Sequence, residues 1–215
     1  GFERHDVAKV NAVDIANFVD QWEGQRMAEV YLSRLSKFFK WAIRRGLRAD
    51  NPCANITVDK PQKRDTYITD QAWHAIRDAL LVGKDGKRTS SGAMVQCYVD
   101  LCYLLYQRNT DVRLLRWDQI DLEAGTIFFK PGKTASSSGA KVAVPITPAI
   151  RAVLMRARGL GAIKGLYVLH TRNGQPYSKT GIGSAFKRAC ERAGVEDITA
   201  KDIRAKAATD ARKAG

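Results

Sequence analysis

The chain has 215 residues, of which 45% are hydrophobic and 27% are charged, a composition typical of a globular protein. No stretch approaches the roughly 20 apolar residues that span a bilayer, and charged residues from Glu3 to Asp6 exclude an apolar signal-peptide core at this end. We therefore expect a soluble, cytoplasmic protein with one large domain or two smaller ones.

The formal net charge of +14 is distributed unevenly along the chain. Residues 1–60 carry 10 Lys and Arg against 8 Asp and Glu, whereas residues 61–215 carry 26 against 14. Such an excess favours nucleic acid as the partner, because neutralising phosphates releases condensed counterions. A basic surface without a specific partner is the alternative. No predicted helix combines a basic face with a large exposed apolar face, so we expect no membrane partner.

Residues 1–58 are predicted to form a helical module. Asn11 followed by Asp14 predicts a capped helix over 11–22, and apolar residues at 3–4 spacing predict a longer helix over 25–45, ended by Gly46. The other face of the longer helix is basic: Arg26, Arg34, Lys37, Lys40, Arg44 and Arg45. Two helices bury a small core, so we expect residues before Gly1 to complete this module.

Residues 59–66 are polar, charged and contain a proline, which predicts an interdomain linker. Thr69 then caps a predicted helix over 70–82, followed by an exposed loop over 83–92. Residues 93–106 are apolar almost all round, which indicates a buried central helix. A short helix is predicted over 109–115.

From about residue 125, the spacing of hydrophobic residues changes from a helical pattern to a β-type pattern. Two β-type runs, 126–129 and 141–146, flank a turn rich in Gly and Ser. Further elements are predicted as a helix over 148–158, a strand over 166–169, and helices over 181–193 and 199–213. The predicted fold class is mainly α (α+β): a helical module followed by a mixed domain with a small antiparallel sheet.

The four cysteines, Cys53, Cys97, Cys102 and Cys190, form no C-x-x-C pair, and the chain has three histidines. We expect the cysteines to be buried small hydrophobic residues, and we expect no metal site.

Five residues could carry phosphate chemistry. Arg108 and Asp111 follow the apolar run, Lys133 lies in the predicted turn, and Lys201 and Arg204 are three apart on a predicted helix. Planar guanidinium groups hydrogen-bond phosphate oxygens in pairs, and a lysine ammonium can protonate a leaving oxygen.

Each of these residues has a simpler interpretation. Arg108 and Asp111 could form a surface ion pair, and Lys133 could be an exposed hairpin lysine. Arg204 could belong to a solvent-exposed basic face, together with Lys201, Lys206, Arg212 and Lys213.

A nucleotide-binding loop is excluded at Lys133. The Gly132, Lys133, Thr134 triplet would need a glycine five residues earlier, where Ile127 stands. We therefore expect no nucleotide partner.

The order of these residues resembles the catalytic domain of tyrosine recombinases, the phage and mobile-element integrase family. The resemblance implies that Arg108 and Arg204 clamp the scissile phosphate, that Asp111 orients Arg108, and that Lys133 is the general acid. Lys201 occupies the position that usually holds histidine, and Tyr106 the position of a common glycine. Residues 37–43, together with Asn51 and Pro52, look like the end of the core-binding domain of phage-type integrases.

The resemblance implies a site-specific recombinase, bacterial or phage-encoded, that cuts and rejoins duplex DNA through a 3′-phosphotyrosyl intermediate. It implies no cofactor, no metal, a homotetramer on DNA, and DNA contacts from the basic face of residues 26–45.

The family's nucleophile is expected downstream of Arg204, where 11 residues follow and none is Tyr, His or Trp. We therefore expect a C-terminally incomplete catalytic domain that binds DNA without cleaving it. Two alternatives stay open: a non-catalytic DNA-binding remnant or architectural regulator, and a type IB topoisomerase with the same chemistry.

Overall fold

A computed structural model describes residues 6–22, 24–59, 66–129, 142–161 and 165–215. The chain divides into two compact units, Gly1–Asp65 and Thr66–Gly215. Most of the expected linker, residues 60–65, lies outside the described residues.

The first unit contains helices α1 (Ala12–Asp20) and α2 (Gln25–Arg44). Asn11 caps α1, and Asp14 completes a capping box, as the sequence predicted. Gly46 stops α2 in a left-handed conformation with φ +70°. The core includes Ile15, Val19 and Phe39, all buried.

The second unit is built around a buried helix. Helix α3 (Asp70–Leu81) precedes α4 (Gly92–Leu105), and α4 contacts α3, α5 (Asn109–Arg113), α6 (Pro148–Gly159), α7 (Lys179–Arg192) and α8 (Asp202–Lys213). The predicted central helix is therefore confirmed, with bounds shifted by one residue.

Charged side chains brace this helical core. Buried Asp100 of α4 accepts hydrogen bonds from Arg77 of α3, at 2.7 Å from Nε, and from Arg156 of α6. One carboxylate thus joins three helices.

A small antiparallel sheet joins this helical core, in the order β1 (Ile120–Asp121), β2 (Thr126–Phe129) and β3 (Val142–Pro145). Ile127 pairs with Val144, and both contribute to the core cluster. A three-residue 3-10 turn, Trp117–Gln119, precedes β1. The predicted fold class, mainly helical with a small antiparallel sheet, is confirmed.

The predicted strand over 166–169 is wrong. Its residues form a single bridge, Arg116 with Tyr167, supported by hydrogen bonds from Trp117 N to Leu166 O and from Val168 N to Leu115 O. Val168 and Leu169 are buried, so their apolar character reflects packing in the core rather than a place in the sheet.

Within the described residues, no helix has both the length and the apolar character needed to cross a membrane.

Candidate nucleic-acid interface

Arg108 is the residue that precedes the first turn of α5. Its backbone is extended, and Asp111 N and Val112 N donate to its carbonyl oxygen, which fixes the start of the helix. Arg108 Nη1 lies 3.9 Å from Asp111 Oδ2, with the arginine side chain 42% exposed and the aspartate 17% exposed. Asp111 Oδ2 is buried and has no hydrogen-bond partner among the described residues. At this distance Asp111 attracts the guanidinium without occupying its N–H groups, which stay available to an outside acceptor.

Tyr106 shows why a glycine suits the position two residues before Arg108. Its φ is +55°, in the left-handed region, where it ends α4 and turns the chain toward α5. A non-glycine residue in this region costs roughly 1–2 kcal/mol. The turn that presents Arg108 is therefore strained here by its side chain.

Lys201 and Arg204 lie at the start of α8, and both are exposed. Lys201 occupies the N-cap position without a side-chain capping hydrogen bond, and Arg204 is the third residue of the helix. The preceding turn is held by Asp202 Oδ2, which accepts from Thr199 N at 2.7 Å and from Thr199 Oγ1 at 2.8 Å. The exposed-face interpretation is wrong for Lys206, whose side chain is 1% exposed.

A cleft of about 150 Å³ brings the starts of α5, α7 and α8 together. Its lining residues are Tyr98, Asn109, Thr110, Arg113, Lys179, Ile182, Gly183, Thr199, Ala200 and Lys201. Lys201 thus shares one cleft with the two residues that follow Arg108, although neither Arg108 nor Arg204 is itself part of the lining.

The lining of this cleft is positively charged. Among the described residues, this lining contains three cationic side chains, Arg113, Lys179 and Lys201, and no carboxylate. The N-termini of α7 and α8 add positive partial charge from their backbone N–H groups. Burial raises the pKa of Tyr98, so its hydroxyl stays neutral. The cleft is suited to an anion of phosphate size.

Sequence reasoning missed Arg113, Lys179 and Thr199. Arg113 Nη1 donates to Tyr177 O, which ties the end of α5 to the segment that starts α7. The three residues come from separate parts of the chain, so a tertiary contact brings them together. The available signal was Ser178, an N-cap residue directly before a lysine, whose Oγ accepts from Gly181 N at 2.9 Å.

Lys133 lies outside the described residues, as does the rest of the connection between β2 and β3. Its expected place in a turn between two strands therefore stays a prediction, although both flanking strands form.

The basic residues predicted on α2 are all exposed: Arg26, Arg34, Lys37, Lys40, Arg44 and Arg45. Arg26 pairs with Glu29 at 2.6 Å, and the Arg45 guanidinium lies 5.8 Å from the centroid of the Trp41 ring. Trp41 and Phe38 are also exposed and stack with centroids 5.9 Å apart, which the sequence reasoning did not single out.

The four cysteines are free and buried, as expected. Among the described residues, no three His, Cys, Asp or Glu side chains cluster in a way that could hold a metal ion.

Comparison with known proteins identifies the family of the chain. The profile of the phage integrase family matches residues 79–215, the greater part of the chain, which therefore belongs to that family of tyrosine recombinases. No curated protein matches the chain in sequence.

Solved integrase structures share the fold. A lambda integrase dimer bound to a COC′ core site superposes with a TM-score of 0.81 at 19% identity, covering 97% of this chain and 73% of that one. A Tn1549 transposon integrase in complex with transposon right end DNA gives 0.79 at 12% identity, covering 97% and 75%. A lambda integrase tetramer bound to a Holliday junction gives 0.76 at 20% identity, covering 94% and 59%. The chain thus spans less than two thirds of that last relative.

Proposed function

We propose that this chain is the DNA-binding and phosphate-binding part of a site-specific recombinase that cuts and rejoins duplex DNA through a 3′-phosphotyrosyl intermediate. The observation that carries the proposal is the cleft, whose described lining holds three cationic side chains and no carboxylate, and which Lys201 shares with the two residues that follow Arg108. Family membership supports the reaction class.

The residues have separate roles. Arg108 and Arg204 stabilise the pentacoordinate phosphate, because guanidinium groups donate paired hydrogen bonds to its nonbridging oxygens. Asp111 orients Arg108. Lys133 protonates the 5′-hydroxyl leaving group, and Lys201 assists at the phosphate. Lys179 and Arg113 add positive charge for the neighbouring DNA backbone. The covalent intermediate conserves the energy of the phosphodiester bond, so neither a metal nor a nucleotide is needed.

The DNA contacts extend to the first unit, where the exposed basic residues of α2 bind the duplex. Strand exchange requires two duplexes and four active subunits, and a lambda integrase tetramer on a Holliday junction supports a homotetramer here. We place the protein in the cytoplasm of a bacterial host, encoded by a phage or another mobile element.

Salt dependence tests the binding step. With about 6–10 phosphate contacts, affinity for duplex DNA should fall about 10³–10⁵-fold between 50 and 200 mM salt. Arg204→Ala should lower the slope of log affinity against log salt by about 0.9, the value of one phosphate contact. Lys187→Ala is the matched control, since Lys187 is 78% exposed on α7 and does not line the cleft. Binding that ignores salt, or an equal slope change in both variants, would refute the site.

Sequencing the coding region beyond the codon for Gly215 tests the chemical step. A continuing frame with a His or Trp and then a tyrosine supplies the nucleophile. In that longer protein, Arg204→Lys should abolish the covalent DNA complex while leaving duplex affinity nearly unchanged. Equal losses of both would reduce Arg204 to a binding residue.

A non-catalytic DNA-binding regulator is the second candidate, and Lys201 favours it. Lysine lacks the titration of imidazole near neutral pH, which the usual histidine offers at this position. A stop codon directly after Gly215 would support this candidate and remove the catalytic roles proposed above.

A further inference from the structure

Helix α8 has a small and unusual inner face. Its buried side chains are Ile203, Lys206 and Ala207. The two apolar side chains are modest, whereas Lys206 is 1% exposed and carries a charge. Hydrophobic contact is non-directional, so Ile203 and Ala207 alone set the rotation and axial position of α8 weakly.

Two carboxylates from different helices hold the Lys206 ammonium. Its Nζ lies 2.6 Å from Asp70 Oδ1, at the start of α3, and 2.9 Å from Asp210 Oδ2, one turn later on α8. The ammonium also lies 5.1 Å from the centroid of the Tyr67 ring. These contacts connect α8 to the beginning of the second unit.

Asp210 is fixed in turn by two tyrosine hydroxyls. Tyr67 Oη donates to Asp210 Oδ1 at 2.7 Å, and Tyr103 Oη, from α4, donates to Oδ2 at 2.9 Å. Both oxygens of the carboxylate are therefore used, and α3, α4 and α8 meet in one hydrogen-bonded cluster.

Hydrogen bonds of this kind depend on distance and angle, and an unpaired buried ammonium is strongly unfavourable. The register in which Lys206 reaches both carboxylates is therefore favoured over any that leaves the ammonium unpaired. Arg204 stands two residues earlier, about 200° around the helix, since an α-helix has 3.6 residues per turn. The buried Lys206 thus determines where the exposed Arg204 and the neighbouring Lys201 stand.

We propose that Lys206 is a positioning residue, which through Asp70 and Asp210 holds α8 so that Arg204 reaches the DNA phosphate. This inference rests on the proposed function, because it assigns Lys206 to the same phosphate site. Lys206 itself does not touch DNA.

The experiment measures the salt dependence of duplex DNA binding, with a duplex selected from a random-sequence pool. Lys206→Met keeps the length of the side chain and removes the charge, and Arg212→Met removes one charge from an exposed position on the same helix. Lys206→Met should lower the salt slope by about 0.9, equal to the loss of one phosphate contact. The fall in affinity between 50 and 200 mM salt then becomes about 3.5-fold smaller. Arg212→Met should leave the slope unchanged.

A double variant separates positioning from stability. If Lys206 acts through Arg204, the slope of Lys206→Met combined with Arg204→Ala should equal that of Arg204→Ala alone. A role in stability alone would lower the unfolding midpoint of Lys206→Met and leave its slope at the wild-type value, which overturns the inference.

Asp70→Asn provides a milder test in case Lys206→Met does not fold. Asp70 is 81% exposed, and its substitution leaves Lys206 paired with Asp210, so the fold should persist. The slope of log affinity against log salt should fall by less than the roughly 0.9 of one full phosphate contact. An unchanged slope in folded Asp70→Asn overturns the inference. If Arg204→Ala itself leaves the slope unchanged, the proposed phosphate site fails first, and the inference fails with it.

Discussion

Gly92, the first residue of α4, stands where the structure has no room for a side chain. A Cβ atom there would lie 2.0 Å from Leu80 O and 2.0 Å from Thr89 Oγ1. The carbonyl belongs to the backbone of α3, and the Thr89 hydroxyl donates a hydrogen bond to it. Neither atom can therefore move away without a large loss of free energy. Gly92→Ala must therefore move α4 away from α3.

The change in the free energy of unfolding is the sum of two destabilising effects and one stabilising effect. Overpacking of a core site costs about 1–3 kcal/mol, and loss of the Thr89 hydrogen bond about 1 kcal/mol. Alanine regains about 0.5–1 kcal/mol over glycine in a helix. We expect Gly92→Ala to lower the free energy of unfolding by about 1–3.5 kcal/mol.

Gly183→Ala is the matched control for this substitution. Gly183 lies inside α7, and a Cβ there meets nothing within 4 Å. It should therefore raise stability by about 0.5–1 kcal/mol. Urea unfolding followed by circular dichroism measures both changes. If the two variants shift the midpoint in the same direction, the contact between α3 and α4 is not as tight as described.

Three further results are expected. In a protein whose reading frame continues to a tyrosine, Lys201→His should leave formation of the covalent DNA complex largely intact. A loss as large as that of Arg204→Ala would contradict the role assigned to Lys201. Hydrogen bonds from neighbouring side chains outweigh the effect of burial and lower the pKa of Asp210, so this carboxylate stabilises the fold above about pH 4 and the contribution is lost as the pH falls further. In Asp210→Asn, the free energy of unfolding measured with urea should therefore fall less as the pH is lowered below about 4. The same fall as in the wild type would exclude Asp210 as its source. Burial raises the pKa of Cys102 to about 12 and of Cys190 to about 11, so neither thiol should react with a disulfide reagent at about pH 8 before unfolding; fast labelling would show that they are accessible.

Local signals predicted the elements of the fold well. Asn11 and Thr69 cap α1 and α3 at the expected positions, because capping is decided by a few neighbouring residues. The buried helix α4 followed from an apolar run alone. The strand expected over 166–169 did not form, because an apolar β-type run shows that a segment is buried but not how many neighbours it pairs with.

The site was predicted only in part, and Lys206 shows the reason. In the sequence it stands among basic residues, which favours an exposed face. The spacing of Ile203, Lys206, Ala207 and Asp210 nevertheless places all four on one side of a helix. An aspartate four residues after a lysine on the apolar side is the available signal for a buried pair. The partners Asp70 and Tyr103 are distant in sequence and could not be assigned from it.

The distribution of ion pairs gives the cleft its charge. In the core, Asp100 forms ion pairs with both Arg77 and Arg156. Within the described parts of the chain, no salt bridge involves any of the cations at the starts of α7 and α8: Lys179, Lys201 and Arg204. A carboxylate beside a cation cancels part of its attraction for a phosphate, whereas an unpaired cation releases only water and counterions when it binds one. Pairing Asp100 with Arg77 and Arg156, and Asp70 and Asp210 with Lys206, therefore holds the helices together. It leaves the positive potential where the DNA backbone would bind.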